Sequence, residues 1–326
     1  MRLKSQARLC LALAIALSPA FAPAASPSQI EPQSAVLSTG SEVATWSISP
    51  TTLSHQTPIV FLHGGPGLYT EARRFDEGAP LRAAGFQTLY FDQAGGGRSK
   101  RLKAGDYSLD RAVADLEALR IYLGKEKMIL WGNSYGASLA AIYAVRYPAR
   151  VAALILTSPG TFPGTKPKRN YSLTNNAKAD LGKAVSAAVS KIDSKGAAAE
   201  AEISQGDAGM LFDTVVAAEL TGRMVCKGAT ISPPALAGGG NLFANRILLK
   251  SLEHLAFNPQ AQRGIPTLIL RGTCDFLPLS NAEAYGRLFG TVVTTIAASG
   301  HGLLENRAAV ERAFRDFATG PLAAVE

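Results

Sequence analysis

The 326-residue chain is 47% hydrophobic and 18% charged, enough apolar material for one large domain or for a core with an inserted second unit, and too much for general disorder. Its formal charge is +8, from 33 basic and 25 acidic residues; setting aside Arg2, Lys4 and Arg8, which lie in a leader that reads as removable, leaves 30 against 25, or +5. That excess is mild, and the nearest basic run, Lys166-Pro167-Lys168-Arg169, is short and sits in a loop, so nucleic acid is not an expected partner.

The N-terminus reads MRLKSQAR, then an apolar run from Leu9 to Leu17, then small residues through Ala25, the order of a secretory signal peptide. Residues 1–25 are therefore expected to be cleaved, after Ala24 or Ala25, and the product to be exported to the periplasm or beyond. An uncleaved anchor is the alternative, but a span needs about 20 apolar residues and Pro19 and Pro23 interrupt this one, so no stable membrane anchor is expected. Cys10 falls inside the apolar run, too early for a lipid-modified mature N-terminus. The mature chain then keeps Cys226 and Cys274, a pair that an oxidising compartment allows to bond; two separate buried thiols are the alternative. Such a bridge would remove roughly 4 kcal/mol of chain entropy from the unfolded state, before any native strain.

After the leader, the turn-like Ser38-Thr39-Gly40-Ser41 separates Ala35-Val36-Leu37 from the alternating segment Val43 to Ile48, which predicts an antiparallel hairpin. Six short apolar runs follow: Pro58 to Leu62, Gln87 to Phe91, Met128 to Trp131, Val151 to Leu156, Thr267 to Leu270 and Val292 to Ile296. Runs of this kind predict strands buried on both faces. Between them lie amphipathic stretches, the clearest being Leu109 to Leu123, with Val113, Leu116, Leu119, Ile121 and Leu123 on an apolar side and Asp110, Asp115 and Glu117 on a solvated one. The alternation predicts an α/β fold with a mostly parallel sheet covered by helices. From about Thr161 to Gln262 no strand pattern is present, helical stretches are rich in Ala and Lys, and Gly238-Gly239-Gly240 reads as a joint. The expected organisation is a core of residues 26–160 and 263–326 interrupted by a helical cap of residues 161–262. A separate C-terminal domain is the alternative, disfavoured by the two strand-like runs after Pro266.

Gly132-Asn133-Ser134-Tyr135-Gly136 sets a serine between two glycines, after a strand-like run and before the helix-compatible stretch Ser138 to Val145. A sharp strand-to-helix turn pushes a serine Oγ out above the sheet, and the next helix points its first N–H groups at the same place. A serine hydroxyl attacks a carbonyl only if a base takes its proton. Of the four histidines, His301, in Ala298-Ser299-Gly300-His301-Gly302 after the last strand-like run, fits best; His254 reads as a packing residue and His63 as a support for its glycine-rich loop. The carboxylate that would fix the imidazole is Asp275, and the chain order Ser134, Asp275, His301 is the order expected of nucleophile, acid and histidine in this architecture. For the oxyanion, the backbone N–H of Tyr135 and one from His63-Gly64-Gly65-Pro66-Gly67 are the expected donors, Gly65 by preference and Gly64 as its competitor. No Gly-Lys-Ser or Gly-Lys-Thr follows that loop, which argues against a nucleotide cradle, and no metal or other cofactor is implied.

Together, His63-Gly64-Gly65-Pro66-Gly67, Asp92-Gln93-Ala94-Gly95-Gly96-Gly97-Arg98-Ser99, the serine turn, Gly272 to Asp275 and Gly300-His301 resemble the proline iminopeptidase branch of the α/β-hydrolases. The likeness covers Pro58 to Leu156 and Pro266 to the end, not the cap. It implies a cofactor-free serine hydrolase working through an acyl-enzyme on a small substrate, an aminopeptidase on short peptides first and a carboxylester hydrolase second. A non-catalytic binding module on the same fold is the third reading. Two departures stand out: Ala94 replaces the usual arginine, and no tryptophan and glutamate pairing of the kind that holds a substrate's free amine is evident in the cap, where Glu219 is a candidate for that carboxylate and an exposed helical glutamate is the alternative reading. No feature of the sequence assigns an oligomeric state.

Overall fold

A computed structural model describes residues 30–166, 179–221, 224–229 and 239–325, with side chains described for all of these except 179–182, 215 and 217–221. The expected leader of residues 1–25, residues 167–169 of the basic run, Gly238 and the Glu219 side chain lie outside that description.

Eight strands form one sheet: β1 (Gln33–Val36), β2 (Glu42–Ile48), β3 (Ile59–Leu62), β4 (Thr88–Phe91), β5 (Met128–Asn133), β6 (Val151–Thr157), β7 (Thr267–Gly272) and β8 (Val293–Ile296). Their spatial order is β1-β2-β4-β3-β5-β6-β7-β8. The hairpin β1–β2 and the β2–β4 pair are antiparallel and every other pair is parallel. The six apolar runs thus became the six parallel strands. In the central strands successive side chains enter opposite layers, Val60, Leu62, Leu130 and Leu154 on one face and Ile59, Phe61, Trp131 and Ile155 on the other. Both layers are dry, which is why the runs are continuous rather than alternating, and each such aliphatic side chain contributes about 1.5–3 kcal/mol relative to exposure.

The last run departs from that expectation. β8 is an edge strand whose Thr294 and Thr295 are exposed, and Val292 beside it is 82% exposed. The order of the runs along the chain did not reveal which of them would lack a neighbour.

Helices α1 (Arg73–Glu77) and α2 (Ala79–Ala83) follow β3, α3 (Leu109–Tyr122) precedes β5, α4 (Tyr135–Arg146) follows it, and α8 (Leu279–Phe289) and α9 (Arg307–Thr319) flank β8. α3 begins where Ser108 Oγ accepts the Arg111 N–H at 3.0 Å. Its faces differ from the expected ones. Ile121 is 57% exposed, whereas Asp115 is buried, accepting hydrogen bonds from Ser41 Oγ at 2.8 Å and Thr39 Oγ1 at 2.5 Å and pairing with Arg111 at 3.0 Å. The carboxylate pins the β1–β2 turn to the helix, a use no helical periodicity encodes.

Between β6 and β7 the described residues hold no strand; they carry α5 (Ala179–Lys195), α6 (Gln205–Thr221) and α7 (Leu242–His254), which pack on one another. Arg246 pairs with Asp193 through two 2.8 Å bonds, joining α7 to α5. Asp213 receives the Gly239 and Gly240 N–H groups, fixing the turn into α7. The first turn of α7 is fastened to the glycine-rich loop: Asn241 N donates to Gly67 O at 2.7 Å and Asn245 Nδ2 to Pro66 O at 2.9 Å. Gly67 has φ +75°, and a Cβ there would lie 2.2 Å from Asn241 O, so only glycine allows this approach. His254 ends α7 exposed, with its ring beside Lys250 O and Lys166 Nζ, so the packing role expected of it does not hold.

Candidate active site

Ser134 stands between the last residue of β5 and the first of α4, with φ 53° and ψ −120°. For a residue with a Cβ this is a strained conformation costing about 1–3 kcal/mol, held only because its surroundings over-determine it. Ser134 N donates to Thr157 O at 3.1 Å, and Gly160 N donates to Ser134 O at 2.8 Å, so the end of β6 grips the turn from both sides. The flanking glycines are steric necessities: a Cβ on Gly136 would meet Leu62 O at 2.0 Å, and one on Gly132 would meet Gly136 O at 2.5 Å.

The structure brings Ser134, His301 and Asp275 together from three sheet ends. His301 Nε2 lies 2.9 Å from Ser134 Oγ, and His301 Nδ1 lies 2.9 Å from Asp275 Oδ1. Asp275 and His301 are both buried, and Leu277 N donates to the same carboxylate oxygen at 2.9 Å. Burial pushes the Asp275 carboxyl up, but the adjacent His301, the hydrogen bonds from His301 and Leu277, and Arg271 together outweigh it and hold the group below the usual carboxylate range. An ionised Asp275 only accepts, which puts the imidazole proton on Nδ1 and leaves Nε2 free to accept from the serine hydroxyl.

The glycine-rich loop and the Asp92-Gln93 turn prove to be one unit. Gln93 N donates to His63 Nε2 at 2.9 Å, His63 Nδ1 donates to Gly64 O at 2.9 Å, and Gln93 Nε2 donates to His63 O at 2.9 Å. Burial lowers His63 to about 4, so the ring is neutral, as those two bonds require. Asp92 accepts from Thr70 N at 2.7 Å and Arg98 N at 2.9 Å; burial, against those bonds, raises its carboxyl to about 6. His63 is thus a support for the loop, the part expected of it. Gly64 and Gly65 both line the same cavity as Ser134, and a Cβ on Gly64 would lie 3.0 Å from Ser134 Cβ. Among the described residues, neither the Gly65 nor the Tyr135 backbone N–H has a hydrogen-bond partner.

Ser134 and His301 open into a cavity of about 270 Å³. Its upper wall is apolar and comes from the helices between β6 and β7, including Val185, Val189, Phe212, Leu242 and Leu252. Charged residues that the sequence reading missed also line it: Glu71, Arg73 and Arg74, whose only sequence signal was a charged run directly after the glycine-rich loop. They are mutually satisfied. Arg73 Nε donates to Glu71 at 2.5 Å and its Nη1 to Glu77 at 2.9 Å, while Arg74 reaches Glu77 at 2.6 Å and Asn133 Oδ1 at 3.0 Å. Burial pushes Glu71 up, yet Arg73 and the neighbouring cations hold it below its ordinary value. Among the described residues, no group of three or more His, Cys, Asp or Glu side chains is arranged to hold a metal ion.

Cys226 and Cys274 are joined in a disulfide, with Cα atoms 5.2 Å apart and a sequence separation of 48. It fastens the segment around Cys226 to the loop that carries Asp275. Among the described residues no helix is long and apolar enough to cross a membrane.

Residues 57–183 match the family described as the alpha/beta hydrolase fold. A proline iminopeptidase of Xanthomonas citri is 40% identical over 93 residues, 28% of this chain and 28% of that protein, so the alignable part spans under a third of the relative. Among solved structures, a thermophilic esterase from Thermogutta terrifontis superposes with a TM-score of 0.60 at 19% identity, covering 89% of this chain and 98% of that one. A proline iminopeptidase of Mycobacterium smegmatis gives 0.51 at 19% identity, covering 89% and 100%. Identities that low carry the architecture alone, and the architecture they share with this chain is the α/β-hydrolase fold.

Proposed function

We propose that this α/β-hydrolase-fold protein, similar in part to proline iminopeptidases, is an exported serine hydrolase that works through an acyl-enzyme, releasing N-terminal residues from short peptides. The observation that carries the reading is the unbroken chain of 2.9 Å contacts from Asp275 through His301 to Ser134, which lines a largely apolar cavity. In this reading His301 Nε2 takes the Ser134 proton as Oγ attacks the substrate carbonyl carbon, and Asp275 stabilises the imidazolium so formed. The oxyanion is received by the Gly65 and Tyr135 N–H groups, which among the described residues have no partner to give up. His301 then returns the proton to the departing amine, and water repeats the sequence on the acyl-enzyme. The helices of residues 161–262 act as the cap that walls the cavity and keeps bulk water from it.

A second reading, a carboxylester hydrolase, is favoured by one feature. Glu71, the carboxylate that lines the cavity, is engaged by Arg73, so a substrate ammonium would have to compete for it. Turnover of proline and alanine arylamides, compared with short acyl esters, separates the two; ester turnover without arylamide turnover would overturn the peptidase reading. Export rests on the charged, apolar and small-residue order of residues 1–25 and is compatible with the disulfide. Mass measurement of the protein recovered from the periplasm tests it: a product that retains Met1 to Ala24 overturns it.

A further inference from the structure

The loops that bear Asp275 and His301 are held together by a network that the reaction just described does not use. They run side by side, with Cys274 N donating to Ser299 O at 2.9 Å and Thr273 N to Ile296 O at 3.0 Å. Across them lies the segment Met224 to Cys226. Met224 O would lie 2.2 Å from a Cβ on Gly300, so the strip packs directly against the backbone of the residue preceding His301. Gly302 N donates to Met224 O at 3.5 Å, and two stronger fastenings keep the strip there. One is the Cys226–Cys274 disulfide, bonded to the residue next to Asp275. The other is Glu305, whose carboxylate accepts from Cys226 N at 2.8 Å, from Gly300 N at 3.1 Å and from Ser299 Oγ at 3.3 Å. One carboxylate therefore grips both the residue before His301 and the bridged cysteine.

We infer that Glu305 is a positioning residue for His301 and that the Cys226–Cys274 bridge holds the strip against it, so that the geometry at Ser134 depends on the oxidation state of that bond. The inference rests on the reading of Ser134 as a nucleophile. The His301 loop needs such a hold, because Ala298 and Leu303 on either side of it both sit at positive φ, 49° and 54°. Conformations of that kind relax when their surroundings loosen. A dithiol reductant breaks the Sγ–Sγ bond by delivering two electrons and two protons, leaving two thiols and closing to its own disulfide. The strip then loses its covalent anchor, Cys226 N no longer has to face Glu305, and the carboxylate is free to turn to water.

The test uses the full chain in five states: oxidised parent, parent reduced with dithiothreitol, the double variant Cys226→Ser with Cys274→Ser, Glu305→Gln and Glu305→Ala. Fluorophosphonate labelling at Ser134 gives both its rate and the number of active sites, and kcat and KM are then expressed per active site, with circular dichroism as the check on folding. Loss of a charge-assisted hold on the histidine is expected to lower kcat and labelling rate about tenfold in the reduced and double-serine forms, with KM within about twofold. Glu305→Ala should lose more than Glu305→Gln, whose carbonyl oxygen still accepts; if the alanine form does not fold, the glutamine form and the reduced parent decide. Per-site kcat equal to the parent's in all variants, with only Tm lowered, overturns this inference and leaves the hydrolase reading intact. Failure of the oxidised parent to label overturns both.

Discussion

The end of the sheet and the helices that stand over it are built under different rules. Around Ser134 every position is fixed by backbone register and by glycines with no room for another atom: Gly136 against Leu62 O, Gly132 against Gly136 O, and Gly160 against the Ser134 backbone. The segment between β6 and β7 is held instead by apolar packing and a few fastenings, namely Arg246 with Asp193, the α7 N-terminus on the glycine-rich loop, and the disulfide. Glycines there can stand in open space, as Gly196 does, with φ +59° and nothing near its missing Cβ. A region of the first kind fixes chemistry to fractions of an ångström; one of the second kind shapes a cavity and tolerates change.

The comparison is broken most severely at the nucleophile. Ser134→Ala should reduce turnover about ten-thousandfold or more while the far-ultraviolet dichroism stays that of the parent, and residual turnover near the parent's would remove Ser134 from the site. Next come the glycines. Gly136→Ala forces a methyl into a backbone carbonyl and should prevent folding or cost about 4 kcal/mol or more, whereas Gly196→Ala carries only the positive-φ penalty of about 1–2 kcal/mol. Urea unfolding of the two variants measures the contrast, and equal losses would show that the two regions are not differently constrained.

His63 supplies a pH signature of the loop beside the serine. Its folded value of about 4 lies below the ordinary 6.5, so the unfolded chain binds a proton that the folded chain refuses between those limits. The histidine's contribution is therefore complete above pH 6.5 and lost as pH falls towards 4, a change on the order of 3 kcal/mol for a fully buried ring. Asp92, raised to about 6, works in the opposite direction as it takes up its proton below that pH. Comparing parent with His63→Gln at each pH isolates the histidine: the parent's stability relative to the variant should fall from pH 6.5 to 4, and a flat difference would mean that the ring is not held neutral. The smallest effect is expected over the cavity. Phe212→Ala should raise KM several-fold with kcat nearly unchanged, because it enlarges a wall without touching the reacting atoms; a kcat loss larger than the KM change would place this helix in the chemistry.

The same contrast governs what could be read from the chain. The apolar runs of the inner strands announced the sheet because burial on both faces leaves an unbroken hydrophobic signature, and the strand-turn-helix context singled out Ser134 from other serines. Asp275 and His301 were legible from their places after such runs, which is where a parallel sheet gathers its functional loops. The cavity wall was not. Glu71, Arg73 and Arg74 look like an ordinary solvated run until the fold turns them inward against Asn133 and Glu77. Asp115 was read onto the wet side of its helix because periodicity sees one element at a time, and its partners Thr39 and Ser41 arrive from the hairpin. Glu305, four residues past His301, carried no motif; its meaning lies in Gly300 and Cys226, which only the folded chain brings to it.

The backbone at Ser134 sets function against endurance. Glycine is the residue that adopts φ 53° and ψ −120° without penalty, yet glycine has no hydroxyl. Ser134→Gly should therefore give an inert protein that melts higher than its parent, with the gain reporting how much conformational strain the native chain tolerates to keep an oxygen at that point. Selection or design for heat resistance alone would drift towards that inert form, so any stabilised version of this chain has to be screened for turnover as well as for melting temperature.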